Sequence, residues 1–131
     1  MKVHHIGYLV KKLARAQKTF EMLGYACEGD VTHDESRGID ILFMVNGTER
    51  VELVSPFAEN SAVGELGKRV GNAPYHICYC TDDLDADAET LSASGFVMTA
   101  EPKAAPAIKG NRVAFFFSPA IGMIELVEDV M

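Results

Sequence analysis

The tetrapeptide His5-Ile6-Gly7-Tyr8 returns as His76-Ile77-Cys78-Tyr79, an offset of 71 residues, and on this repetition the fold is decided. The same offset carries Leu13 onto Leu84, Phe20 onto Leu91, Gly24 onto Gly95 and Tyr25 onto Phe96. Further along the offset is 73. Phe43 then falls on Phe116, and Val51-Glu52-Leu53-Val54 on Ile124-Glu125-Leu126-Val127. A two-residue difference in the intervening loops accounts for the change. One match of this kind arises by chance; a whole series in the same order marks an internal duplication.

Each half reads as a strand, a helix and three strands. Residues 2–10 are apolar and partly β-branched, which predicts a strand. The spacing of Leu13, Ala16, Phe20 and Leu23 predicts a helix over 12–23 with one apolar face. Lys11 and Lys12 give it no good cap, and Gly24 suits its end. Strands are expected at 25–31, 39–45 and 49–55, with Asn46-Gly47 as a tight hairpin turn. Ser61–Val70 reads as a short linking helix. The second half places strands at 74–80, 96–101, 112–118 and 123–128. Its helix runs to about residue 94, capped by Thr81 or Asp82, with Leu84, Ala88 and Leu91 on the buried face. Residues 103–111 read as a flexible loop beside a cavity.

The expected class is α+β, with two repeated βαβββ modules. A single domain would cover 1–131: module one about 1–57, the linking helix about 61–70, module two about 74–131. The 131-residue length suits one core. Twelve basic against nineteen acidic residues give a net charge of −7, which argues against general nucleic-acid binding. No apolar run reaches membrane-span length, and the N-terminal stretch does not resemble a signal peptide. Three cysteines, Cys27, Cys78 and Cys80, suggest free thiols and a cytoplasmic setting.

Four polar residues stand where strands should be apolar: His5, Glu52, His76 and Glu125. Taken singly, each has an ordinary structural reading, because an exposed Glu on a strand or a lone His is common. An isolated carboxylate facing a core is costly without a partner. As two repeat-related pairs, they would converge near a pseudo-symmetry axis. Two imidazoles and two carboxylates make a reasonable set for one divalent ion, with cobalt, zinc, nickel and manganese all suitable. Alternation supports the reading: Val51 and Leu53 can face a helix while Glu52 faces a concave surface, and Ile124 and Leu126 do the same for Glu125.

At these residues the chain resembles the vicinal oxygen chelate superfamily, which includes glyoxalase I, methylmalonyl-CoA epimerase, extradiol dioxygenases and bleomycin-resistance-type binding proteins. The resemblance runs through His4-His5-Ile6-Gly7, Arg50-Val51-Glu52-Leu53-Val54-Ser55-Pro56, Tyr75-His76-Ile77 with Asp82-Asp83-Leu84, and Gly122-Met123-Ile124-Glu125-Leu126-Val127-Glu128. It implies that the paired βαβββ modules form a curved, partly open sheet barrel, with one metal ligand from each of four strands: His5, Glu52, His76 and Glu125. Among subfamilies the chain looks most like methylmalonyl-CoA epimerase, through Glu52-Leu53-Val54-Ser55-Pro56 and the following Asn60-Ser61-Ala62-Val63.

That resemblance implies an isomerase moving the α-proton of an acyl-CoA thioester. Glu125 would be the foremost proton-transfer residue, with Glu52 assisting. The epimerase pattern carries an acid where this chain has Ser36, and Glu35 is one residue away. Arg37, Lys109 and Arg112, with Lys103 nearby, could meet anionic parts of a substrate or could be surface charge. Alternatives are a glyoxalase I-like (lactoylglutathione lyase) reaction on a hemithioacetal, and a non-enzymatic small-molecule binding protein of the bleomycin-resistance type. A small-molecule thioester or hemithioacetal is the expected partner, along with a second copy in a homodimer.

Overall fold

The computed structural model describes residues 1–129; the last two residues assigned to module two, 130 and 131, lie outside the described residues. The class is α+β, as the repeat predicts, with nine strands and three α-helices among the described residues. The chain divides into two compact units, residues 6–75 and residues 1–5 with 76–131.

The unit of residues 6–75 holds most of β1 (Val3–Leu9), then α1 (Leu13–Met22), β2 (Ala26–Cys27), β3 (Thr32–Asp34), β4 (Ile39–Asn46), β5 (Glu49–Pro56) and α2 (Gly64–Val70). Strand β5 lies parallel to β1, with Gly7 opposite Glu52, and antiparallel to β4, with Phe43 opposite Glu52. Helix α1 turns Leu13, Ala16 and Phe20 onto Leu42, Met44, Val51 and Leu53. Tyr8 and Tyr25 each set an edge against the Phe20 ring at 5.2 Å. As expected, no side chain caps α1 at Lys12. Gly24, at φ +100, takes the left-handed turn that ends it.

The other unit repeats the plan with most of β6 (Ala73–Thr81), then α3 (Leu84–Ala93), β7 (Val97–Ala104), β8 (Arg112–Ser118) and β9 (Gly122–Glu128). Strand β9 lies parallel to β6, with Cys78 opposite Glu125, and antiparallel to β8. Leu84 and Ala88 of α3 pack on Ala114, Phe116, Ile124 and Leu126, with Leu91 against the same cluster. In each unit, then, one sheet face carries the helix and the alternate residues face away from it.

Several elements depart from expectation. The strand foreseen at 25–31 is confined to Ala26–Cys27, and a further short strand, β3, pairs with β4 through Thr32, His33 and Asp34. The hairpin turn is centred on Gly47 and Thr48, because Asn46 still pairs with Glu49. The cap of α3 is Asp83, which accepts the Ala86 N–H at 3.1 Å, rather than Thr81 or Asp82. Thr81 instead accepts the Asp83 N–H and donates to Asp87. The linking helix shortens to Gly64–Val70. Residues 103–111 do not form a loose loop: β7 continues to Ala104, and a 3-10 turn at Pro106–Ile108 follows, with Ala105 and Ile108 buried.

The repeat itself needs one correction. Opposite Glu125 stands Phe115, whereas Phe116 stands opposite Ile124. Phe43 therefore corresponds to Phe115, not Phe116. The hairpin after β8 has three unpaired residues between Ser118 and Gly122, and the one after β4 has two between Asn46 and Glu49. One extra residue lies in that hairpin and one lies before it.

Candidate metal centre

Within the unit of residues 1–5 and 76–131, three strands bring three polar side chains to one buried point. His5 comes from β1, His76 from β6 and Glu125 from β9, and they are 1%, 3% and 3% exposed. The His5 and His76 Nε2 atoms are 3.2 Å apart. Glu125 Oε1 lies 3.1 Å from His5 Nε2 and 3.0 Å from His76 Nε2. The imidazole planes stand at 78°, and the Phe115 ring sets its edge against His76 at 5.3 Å. The register explains the placement. Glu125 and Cys78 are paired across β9 and β6, and His76 shares the Cys78 face of β6 two residues back.

The donor set fits a divalent cation. Ligand atoms about 2.0–2.2 Å from a shared ion stand roughly 3 Å from each other when adjacent in its shell. That matches the three separations here. Glu125 Oε1 is buried and makes no directed hydrogen bond despite its two close nitrogens. Two imidazole nitrogens and one carboxylate oxygen thus converge on a single buried point, an arrangement a positive ion would suit. Burial alone would push the Glu125 carboxyl up, but His5 and His76 outweigh it and hold that carboxyl well below the usual carboxylate range.

Glu52 lies in the other unit, on β5, and is 5% exposed. Its position within that unit repeats that of Glu125: Glu52 stands opposite Gly7, two residues beyond His5, just as Glu125 stands opposite Cys78, two residues beyond His76.

The remaining predicted residues are placed as follows. Glu35 is exposed, with Oε1 3.1 Å from His33 Nε2. His33 Nδ1 is 2.6 Å from Asp40, and its ring stacks on Phe57. Ser36 donates to Asp34 Oδ1 at 2.7 Å, and the Arg37 guanidinium binds Oδ2 at 2.8 Å. Asp34 is the buried acid of that segment. Arg112 binds Glu128 at 2.9 Å and Asp85 at 3.1 Å, which raises its already high pKa. Lys109 is the single non-glycine residue with positive φ among the described residues, at φ 56 on the turn before β8. The Cys78 and Cys80 thiols are buried and the Cys27 thiol is exposed.

Sequence reasoning passed over His4 and Asp34. Alternation assigns His4 to the face opposite His5, yet its ring is buried beside the His5 ring, 5.1 Å away between centroids. Asp34 lay in a stretch read as a loop, where an acid carries no signal of burial.

Residues 4–115 match the Glyoxalase/Bleomycin resistance protein/Dioxygenase superfamily, and the chain belongs to that family. Within it, the chain is 26% identical over 105 residues to the ethylmalonyl-CoA/methylmalonyl-CoA epimerase of Cereibacter sphaeroides, covering 78% of each. A methylmalonyl-CoA epimerase variant of Streptomyces coelicolor, solved in complex with 2-nitronate-propionyl-CoA, is similar at TM-score 0.83 and 25% identity, over 97% of this chain and 93% of that one. A hypothetical protein of Bacillus halodurans C-125 shares the fold at TM-score 0.87 and 24% identity, over 99% of this chain and 95% of that one. No helix among the described residues is long and apolar enough to cross a membrane.

Proposed function

We propose that the chain is a metal-dependent epimerase of acyl-CoA thioesters, of the methylmalonyl-CoA epimerase kind. The observation that carries this reading is the buried convergence of His5, His76 and Glu125 at 3.0–3.2 Å. The epimerase relatives at 25–26% identity support the substrate class. Glu52 completes the ligand set, on the strength of its repeat equivalence to Glu125 and its burial.

A divalent ion held by these residues would supply electrostatic stabilisation for the negative charge left when an α-proton departs beside a thioester carbonyl. The chain's own groups do the rest. Epimerisation needs a proton removed from one face of the carbon and returned to the other, hence two carriers. The duplication provides two carboxylates, Glu125 and Glu52, each with a second oxygen after one is committed to a cation. Glu35 is the weaker candidate for a carrier. His5 and His76 orient the site, and their burial limits water access. Arg37, Lys109 and Arg112 are weaker candidates for contacts with the acyl-CoA anion, since Arg37 and Arg112 also hold acidic neighbours.

The test is solvent-deuterium exchange at the α-carbon, with protein loaded in turn with cobalt, zinc, nickel or manganese. Methylmalonyl-CoA and ethylmalonyl-CoA should exchange, and a methylglyoxal hemithioacetal should not. Exchange confined to the hemithioacetal would replace this reading with a glyoxalase reaction. Ligand binding without any turnover would replace it with a non-enzymatic role.

A further inference from the structure

The imidazole of His4 lies against that of His5, and their Nδ1 atoms are 2.8 Å apart. At that distance one nitrogen carries the proton and the other accepts it. On its far side, His4 Nε2 faces Asp129 Oδ2 at 3.5 Å. His4 is nearly as buried as His5, and Asp129 is about one-third exposed, so the row Asp129–His4–His5 runs from the surface inward. All three residues belong to the same compact unit as His76 and Glu125.

We infer that His4 is a positioning residue that fixes the tautomer of His5. The inference rests on the metal reading of the site, and the protons can be placed one at a time. For His5 Nε2 to offer a lone pair beside His76 and Glu125, the single proton of its neutral ring must sit on Nδ1. The 2.8 Å approach then makes His4 Nδ1 the acceptor. The proton of His4 consequently sits on Nε2, directed toward the Asp129 carboxylate. The opposite assignment would put a proton on His5 Nε2 and occupy the lone pair a cation needs. Partners of this kind orient ligand imidazoles, and their loss commonly weakens metal affinity about 10- to 100-fold.

His4, His5 and Cys78 also bring one ligand atom each within 4.8 Å of the others. In the positioning role inferred for His4, the His4 and His5 Nδ1 atoms are used on each other while His5 Nε2 faces Glu125.

Two readouts test the inference. Nitrogen-15 spectra of histidine-labelled, metal-free protein should show His5 protonated on Nδ1 and His4 on Nε2. His4→Phe, which keeps a buried ring but removes the acceptor, should move His5 toward the Nε2 tautomer. It should also lower cobalt affinity about 10- to 100-fold. His4→Gln, whose amide oxygen can accept the same proton, should recover most of that affinity. Asp129→Asn leaves the buried ring in place and should give a smaller loss of the same kind; it carries the comparison if the Phe variant does not fold. A wild-type His5 protonated on Nε2, or folded His4→Phe with undiminished cobalt affinity, would overturn the inference. Failure of the wild type to take up cobalt would instead overturn the metal reading, while the spectra would still decide the role of His4.

Discussion

At the scale of single residues, buried charge is tolerated here only where specific partners receive it. Glu125 is the clearest case, since burial opposes its charge and two imidazoles restore it. Replacing it with Gln should abolish cobalt uptake and reduce α-proton exchange at least 100-fold, with the far-ultraviolet circular dichroism unchanged. Asp34 is a second case. Burial pushes its carboxyl up, but the Ser36 hydroxyl and the Arg37 guanidinium bring it below the ordinary value of 3.8. A carboxyl depressed in the folded state contributes stability above its unfolded value and loses it as pH falls through the folded one. Wild-type stability should therefore drop as pH falls below 3.8. Asp34→Asn should flatten that part of a denaturant-melt series taken against pH. An equally steep acid limb in the Asn protein would show that this pair does not contribute.

At the scale of elements, the two helices fill the same position in their units with different terminal chemistry. Helix α3 begins at Asp83, which accepts the Ala86 N–H, and has Asp85 and Asp87 in its first turn. Asp83→Ala should cost about 1 kcal/mol in a urea melt. Helix α1 opens at Lys12 with neither a cap bond nor an acid. Lys12→Asp should therefore stabilise by roughly 0.5–1 kcal/mol, because it adds a cap and removes a cation from the positive helix end. An unchanged urea midpoint in either variant would contradict this account of the termini.

What the sequence revealed follows the same division. Periodicity located both helices and the long strands, because Leu13, Ala16 and Phe20, or Ile124 and Leu126, face a core at regular spacing. It did not show the pairing of His33 with Asp40, which depends on contact between two chain segments. It misaligned Phe43 with Phe116 because one extra residue sits in a hairpin loop, where no periodicity marks it. Glu125, His5 and His76 were legible as polar residues in apolar strands. His4 was not, because its role comes from a ring-to-ring contact that strand alternation does not predict.

At the scale of the whole molecule, duplication is the organising fact. Each unit builds one helix-covered core of its own: Leu42, Met44, Val51 and Leu53 in one, Ala114, Phe116, Ile124 and Leu126 in the other. Phe116 is fully buried, and its equivalent by register is Met44. Phe116→Ala should cost about 3–5 kcal/mol by equilibrium unfolding. A cost below about 1 kcal/mol would mean that the second core is not packed as described. The proposed chemistry rests on the same duplication, since each repeat supplies one histidine and one carboxylate at matching positions, His5 with Glu52 and His76 with Glu125.

The most direct measurement is a calorimetric titration of cobalt into metal-free protein, wild type beside His76→Ala and Glu125→Gln. The account predicts one ion bound per wild-type chain and no saturable uptake by either folded variant. No uptake by the wild type, or equal uptake by all three, would contradict it.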